Sequence, residues 1–421
     1  MSMRIVWAGP WDKRSSIAAF GAAIVDELMS RGHDVQVLRT ELGAAAKLRG
    51  RRSGAHFRTW KDAPLAELAQ NTDAIIVNFG DDYLFHGAML HNFAQFGVVG
   101  IFHDRVLTRL AEGWARSSPD VETMLRGLVK PADGAPSGPK GAAGTSPMLE
   151  WCASGVAGAA VTGERFAEEV CAVCPGPVAV IQLAYQLRGV APPRRIPASG
   201  LRVASFGSGE DTERIDQVIV AIGSSSQLRQ RCRFRVIGDI AVRERDRLRQ
   251  LAASSHMLPL EFTGWVSDEA LRTTLTKVDM LACLPDQQSP EDSSSLLVCM
   301  QSGRPTMLAA GAAFAALPDG VVLPCTPGDE AADVARHIAW AMRNPQDASS
   351  IGQRAQAYAR QTHDAKHYVD ALMPLLESAI ARRPLTLAGR ALGKTLAAFG
   401  VEPEDVATTR LGVAVDDLLG Q

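Results

Sequence analysis

The chain has 421 residues, 46% of them apolar and 21% charged, with a net charge of −2. This describes a globular protein of two or three domains with ample core, and it gives a nucleic-acid partner no overall electrostatic support. Seven cysteines, an odd number without the spacing of a disulfide framework, point to a reducing, cytoplasmic compartment. Cys171 and Cys174 form one C-x-x-C, but no second pair or Cys/His cluster completes four zinc ligands, and His363 and His367 lack a third partner. No metal is expected. The opening MSMRIVWAGPW has one Arg and an apolar run of strand length, so it is not a signal peptide. No run approaches the ~18 apolar residues of a membrane span.

Arg4 to Ala8 reads as a strand ending at Gly9-Pro10, Ser16 to Arg31 as a helix, and Val35 to Leu38 as a second strand: a β-α-β unit of a parallel sheet. Ala74 to Asn78, Val98 to Phe102, Ala157 to Thr162 and Val178 to Leu183 continue the series as buried strands. Pro131 to Pro147 is rich in Gly, Pro and Ala and reads as a surface loop, and the Pro-rich Ala191 to Pro197 as a linker. A second series follows. Strands are predicted at Leu201 to Phe206, Phe234 to Ile237, Leu260 to Thr263, Met280 to Leu284, Arg304 to Ala309 and Gly320 to Leu323. Helices are predicted at Ile215 to Ser224, Arg243 to Ala253 and Leu271 to Lys277. Two consecutive Rossmann-like runs imply two doubly wound domains facing each other across a deep cleft, with ligands at the loops after the strands. The boundaries are placed at 1–190, 191–380 and a helical extension at 381–421.

Pro290 to Leu308, PEDSSSLLVCMQSGRPTML, places Glu291 and three serines, Ser293, Ser294 and Ser295, ahead of an apolar helix. The serines can cap that helix, as in any α/β domain. They can also leave its first N–H groups free to seat a phosphate, with the carboxylate beside it to accept from sugar hydroxyls.

In order and spacing the motifs resemble the retaining GT-B glycosyltransferases, in particular the large family 4, over nearly all of residues 3 to 380. NFGDDYLFHG (Asn78 to Gly87), followed by VVGIFHDRVL (Val98 to Leu107), is similar to a Gly-Asn-x-x-x-His pattern and a strand ending in His-Asp. ASFGSGEDTERIDQVIVAI (Ala204 to Ile222) resembles the Gly loop that opens the donor domain. FTGWVSDEAL (Phe262 to Leu271) resembles the base-binding loop, and PEDSSSLLVCMQSGRPTML the donor motif.

The resemblance implies a transferase, hexosyltransferase in type and metal-independent, that moves a sugar from a nucleotide-diphosphate donor to a saccharide or lipid-linked saccharide acceptor. The N-terminal half would bind acceptor and the C-terminal half donor, in cell-surface polysaccharide or glycoconjugate synthesis, with the donor as substrate and no cofactor. It implies that His103, Arg214 and Glu291 act at the reaction centre, where positive charge and N–H dipoles absorb the charge of the departing phosphate. The plainer reading of Arg214 is a solvated helix residue beside Glu213. Asp104 orients His103, meets an acceptor hydroxyl or caps the next helix. Gly207, Ser208, Val266, Asp268 and Leu296 complete the donor side and Asp82 the acceptor side. Ser208 stands where a second base is common, so Lys13 and Arg14 in the first loop are a further source of positive charge. Val298 and Cys299 stand where a ribose-binding Glu is common. Asp268 either accepts from guanine N–H groups, which tilts the donor toward GDP-sugars over UDP-sugars, or is a helix cap.

Lys47, Arg49, Arg51, Arg52, Arg58 and Lys61 form a basic cluster, and Pro384 to Phe399 mixes Leu and Phe with Arg390 and Lys394. Either can meet the inner membrane surface, the first also an anionic acceptor; a solvated loop and a helix packed across the domains are the plainer readings. The departures at Ser208 and Val298 motivate one alternative, a GT-B relative acting as partner or regulatory subunit of another transferase. A Rossmann oxidoreductase lacks the G-x-G-x-x-G continuation after either Gly loop.

Overall fold

The computed structural model describes residues 2–400 apart from 48–49, 51–52, 129–146, 186, 188–196, 198–199, 208–213, 258, 286–293 and 312–316. Short apolar runs ending in Gly or a polar loop form two wholly parallel sheets. In the first, β1 (Arg4–Gly9), β2 (Asp34–Arg39), β3 (His56–Thr59), β4 (Ala74–Phe79), β5 (Val99–Phe102), β6 (Gly158–Val161) and β7 (Val178–Val180) lie in the order β3-β2-β1-β4-β5-β6-β7. In the second, β8 (Leu201–Phe206), β9 (Cys232–Ile237), β10 (Leu260–Phe262), β11 (Met280–Cys283), β12 (Thr306–Ala309) and β13 (Leu323–Cys325) lie in the order β10-β9-β8-β11-β12-β13. Each order reverses beside its first strand, at β1/β4 and β8/β11, which opens a crevice at the strands' carboxyl ends. β4 is buried at all six residues, as a central strand covered on both faces must be. The expected series is present, except that the last strand begins at Leu323 where Gly320 was expected, residues 319–322 forming a turn. The unexpected β3 is a short edge strand whose His56 and Phe57 are exposed, so it carries no buried-strand pattern.

The last helix among the described residues, Ala365–Ala398, returns to the first domain. Its Tyr368, Val369, Leu372, Leu375, Leu376 and Ala379 share one apolar cluster with Trp7, Phe20 and Ile24. Arg31 pairs with Asp370 at 2.6 Å, and Arg390 donates to Ala94 O and, at 2.7 Å, to Ser154 O. The segment Pro384 to Phe399 continues this helix, tied to the first domain through Arg390 while Leu385, Leu392 and Phe399 stay exposed, and residue 381 lies inside that helix. The chain crosses between domains after β7 and before this helix, and the two crossings are tied together. The Tyr185 N–H donates to His363 O (3.0 Å), and His363 Nδ1 bonds Leu183 O (2.9 Å). Gln301, 6% exposed, clamps the first crossing from the second domain: its Oε1 accepts from the Leu187 N–H (2.7 Å) and its Nε2 donates to Tyr185 O (2.5 Å).

The linker at 191–197 and the loop at 131–147 fall almost entirely outside the described residues. So do Arg49, Arg51 and Arg52 and the side chain of Lys47. Arg58 pairs with Glu67 at 3.1 Å, and Lys61 lies over Trp60. No helix among the described residues is long and apolar enough to cross a membrane, and no group of three or more His, Cys, Asp or Glu is placed to hold a metal ion.

Candidate active site

A cleft of about 470 Å³ lies between the domains, lined by strand-end loops of both sheets. That volume is within the roughly 300–1,000 Å³ of small-molecule sites. From the first domain it receives Lys13, Arg14, Phe20, His103 and Asp104; from the second, Gly207, Asp239, Trp265, Val266, Asp268, Ser294, Ser295 and Val298; Ala184 and Tyr185 come from the crossing segment.

The first loop is held by buried acids. Asp12, 2% exposed, accepts the Arg14 N–H through Oδ1 (2.7 Å), and Glu41 accepts the Trp11 N–H (2.6 Å). Ser15 caps the following helix, Ser16–Ser30, by accepting from the Ala18 N–H. Lys13 and Arg14 thus reach the cleft from a fixed turn. The Arg14 guanidinium lies 5.6 Å from the centroid of the Trp265 ring, so the two domains touch across the cleft.

His103 follows β5, its N–H bonded to Phe79 O (2.9 Å). Its ring packs edge-to-face on Phe20 at 5.0 Å, and Nε2 lies 3.0 Å from Asn78 Oδ1. Burial, then the neighbouring His86, push its pKa down to about 3. A ring that stays neutral at pH 7 can exchange hydrogen bonds with hydroxyls but supplies no charge to a phosphate. Asp104 lines the cleft and accepts the Asp81 N–H through Oδ2 (2.9 Å). It does not cap the next helix, Thr108–Ala115, which starts four residues later: Asp81, from the neighbouring strand's loop, takes the Leu110 N–H instead (3.0 Å). Burial raises the Asp81 pKa. Asp82 caps the short helix Tyr83–His86 by accepting from Leu84 N–H (2.9 Å) and is not among the cleft-lining residues. His86 of the Gly-Asn-x-x-x-His pattern is buried and bonds Asn78 O, a structural position.

In the second domain the ends of β8 and β9 approach closely. Gly238 has φ +126°, and a Cβ there would sit 2.0 Å from Gly207 O, so only glycine lets these two loops meet beneath the cleft. The cap of helix Asp268–Thr276 is Ser267, not Asp268; Asp268 stands in its first turn, facing the cleft. Ser294 and Ser295 begin helix Ser294–Gln301 at the cleft wall. The Leu296 side chain points away into the core, 3% exposed, so it is not a lining residue. Val298, one turn on from Ser294 and Ser295, is one.

Arg214 precedes helix Ile215–Gly223 in a left-handed conformation (φ 51°), and its guanidinium pairs with the buried Glu330, whose other oxygen accepts from Gly328 N–H (3.0 Å). It is not among the lining residues. The free, solvated residue of the plainer reading is not found either. Glu291, Ser208 and Ser293 lie outside the described residues. The structure therefore brings His103, Asp104, Gly207, Val266, Asp268, Ser294 and Ser295 to one cleft, and leaves Asp82, Arg214 and Leu296 off it. Trp265, Asp239 and Asn78 were not singled out from sequence. A Trp directly after the Leu260–Gly264 run, and a polar amide inside the apolar run Ala74–Phe79, were the available signals.

No protein-family model matches the sequence, and no curated protein matches it. Solved structures do. HepE (Alr3699) of Anabaena, in complex with UDP and glucose, superposes with a TM-score of 0.61 at 17% identity, covering 89% of this chain and 100% of that one. The sucrose-phosphate synthase of Thermosynechococcus elongatus gives 0.58 at 14% identity over 94% of this chain and 100% of that one. WaaG, a glycosyltransferase involved in lipopolysaccharide biosynthesis, gives 0.55 at 14% identity over 89% and 98%. With its two facing parallel sheets, the chain has the GT-B glycosyltransferase fold.

Proposed function

We propose that the chain transfers a sugar, with retention of anomeric configuration, from a nucleotide-diphosphate donor to a saccharide acceptor. The observation that carries this is the cleft lining, which gathers strand-end loops of both domains around a neutral His103, the cations Lys13 and Arg14, and the serine-rich start of helix Ser294–Gln301. Those cations and that helix N-terminus suit a diphosphate, and Trp265 with Val266 offers a face and a wall to a base. His103 and Asp104 suit hydroxyls. Glu291 remains a proposed partner of the donor sugar. Arg214 is held by Glu330 and in this reading takes up the donor phosphate when that pair opens on donor binding. The proposed acceptor is a saccharide or lipid-linked saccharide of cell-surface polysaccharide synthesis, met at the cytoplasmic side of the membrane without a metal ion.

The guanine argument from Asp268 finds no support in HepE, whose complexes are with UDP and UDP-glucose, so UDP-sugars are the first donors to test. Purified protein incubated with UDP- and GDP-sugars should hydrolyse one class slowly, and His103→Gln should lower that rate about 100-fold, as removal of one transition-state contact does. A melting shift with nucleotides but no turnover with any donor would point to the regulatory relative. No melting shift with UDP, GDP, ADP or dTDP compounds would overturn the donor site itself.

A further inference from the structure

We propose that Asn78 is a positioning residue that fixes His103 as its neutral Nε2–H tautomer, so that this ring offers the substrate an acceptor nitrogen and no charge. Asn78 is 2% exposed, the fifth residue of β4. Its Nδ2 donates to Ala8 O at 3.0 Å, on the neighbouring β1. That bond sets which end of the amide is which, because a carbonyl oxygen turned toward Ala8 O would meet a second acceptor. Oδ1 therefore faces His103 Nε2 at 3.0 Å, and an amide oxygen only accepts, so Nε2 carries the proton.

A neutral ring has one N–H, which leaves Nδ1 as a lone pair; it has no hydrogen-bond partner among the described residues. Protonation would need Nδ1 to charge a half-buried ring packed on Phe20. His86 stands beside it, bonded through its own Nδ1 to the backbone carbonyl of the same Asn78 (2.9 Å). One asparagine thus organises two imidazoles, one through its main chain and one through its side chain.

The chemical class follows. A lone pair on an uncharged ring takes a hydrogen bond from a hydroxyl, of either sugar, and repels a phosphate oxygen. The diphosphate is then left to Lys13, Arg14 and the helix N-terminus, and His103 reads a hydroxyl. That last assignment rests on the proposed transfer function; the tautomer does not.

Two readouts separate them. Ring-15N-labelled histidine makes the nine imidazoles visible, and His103→Gln identifies the His103 signals by their disappearance. At pH 7 the expected spectrum shows an unprotonated Nδ1 and an exchange-protected Nε2 proton, which Asn78→Ala abolishes. A wild-type ring protonated at Nδ1, or carrying both protons, overturns the proposal on the native protein alone, whether or not the variant folds. So does a protected Nε2 proton that persists unchanged in Asn78→Ala. In the transfer assay, Asn78→Ala should lower kcat about tenfold or more with the nucleotide KM unchanged, and Asn78→Gln, which restores an amide oxygen, should recover part of it. If the spectra behave as stated and no donor is turned over by the wild type, the transfer function fails and the tautomer assignment stands.

Discussion

Replacing Gln301 by alanine tests whether the crossing between domains is held by hydrogen bonds. The side chain is 6% exposed and makes two bonds, from the Leu187 N–H (2.7 Å) and to Tyr185 O (2.5 Å). Truncation leaves a donor and an acceptor without their partner, at about 1–3 kcal/mol each. The sum is about 2–6 kcal/mol, and water entering beside the cleft-lining Tyr185 offsets part of it, so a loss of about 2–4 kcal/mol is expected. Urea unfolding followed by circular dichroism, compared with Gln301→Met, measures it. Methionine restores the volume and neither bond, so it should recover less than half of the loss. Tyr185 also lines the cleft, and the same substitution should weaken nucleotide binding. A loss below about 0.5 kcal/mol, against the cost of two orphaned groups, or full recovery with methionine, would refute the reasoning: the clamp would then be packing alone.

Gly238→Ala should abolish nucleotide-induced melting shifts and lower the melting temperature, because a Cβ placed 2.0 Å from Gly207 O at φ +126° must drive the β8 and β9 loops apart. Trp265→Ala removes the contact with Arg14; at about 0.5–1 kcal/mol it should shift the population of open clefts about two- to fivefold, read by single-molecule distances between labels on the two domains. An unchanged distribution would show the contact to be idle. His103 gives a pH dependence with a definite sign. Its folded pKa is pushed down to about 3, while the unfolded value is about 6.5. Between those values the unfolded chain binds the extra proton, so the ring's contribution is complete above pH 6.5 and is lost as pH falls toward 3, by at most about 1.4 kcal/mol per unit. Wild type should therefore lose more stability between pH 7 and pH 5 than His103→Gln; equal losses in urea titrations would refute the neutral ring.

The fold was largely legible because parallel strands between helices are short apolar runs that end in Gly or a polar turn, and β1, β4, β8 and β11 all have that form. β3 was not, since an exposed edge strand needs no such pattern. Within the site, His103, Asp104 and Gly207 come at once after a strand and line the cleft, as do Val266 and Asp268 from the loop and helix start beyond β10. Other named residues stand off the cleft because a different partner holds them. Asp82 is consumed by capping its own helix, Leu296 faces inward because helix Ser294–Gln301 is buried along nearly its whole length, and Arg214 meets Glu330, 116 positions away in the chain. Sequence spacing carries no information about such a distant partner. Asn78 escaped notice because its role depends on Ala8 and His103 arriving from two other strands.

The return of helix Ala365–Ala398 to the first domain has a consequence for biosynthesis. Trp7, Phe20 and Ile24 leave the ribosome about 340 residues or more ahead of the surface that covers them, Tyr368 to Ala379. At about 5–20 residues per second, that greasy patch stays uncovered for on the order of ten seconds or more, while the second domain, whose strands and helices are contiguous, can close on itself meanwhile. A nascent chain of this design offers a chaperone a defined landing place, and an elongation pause before residue 365 would lengthen the hazard without altering the finished molecule.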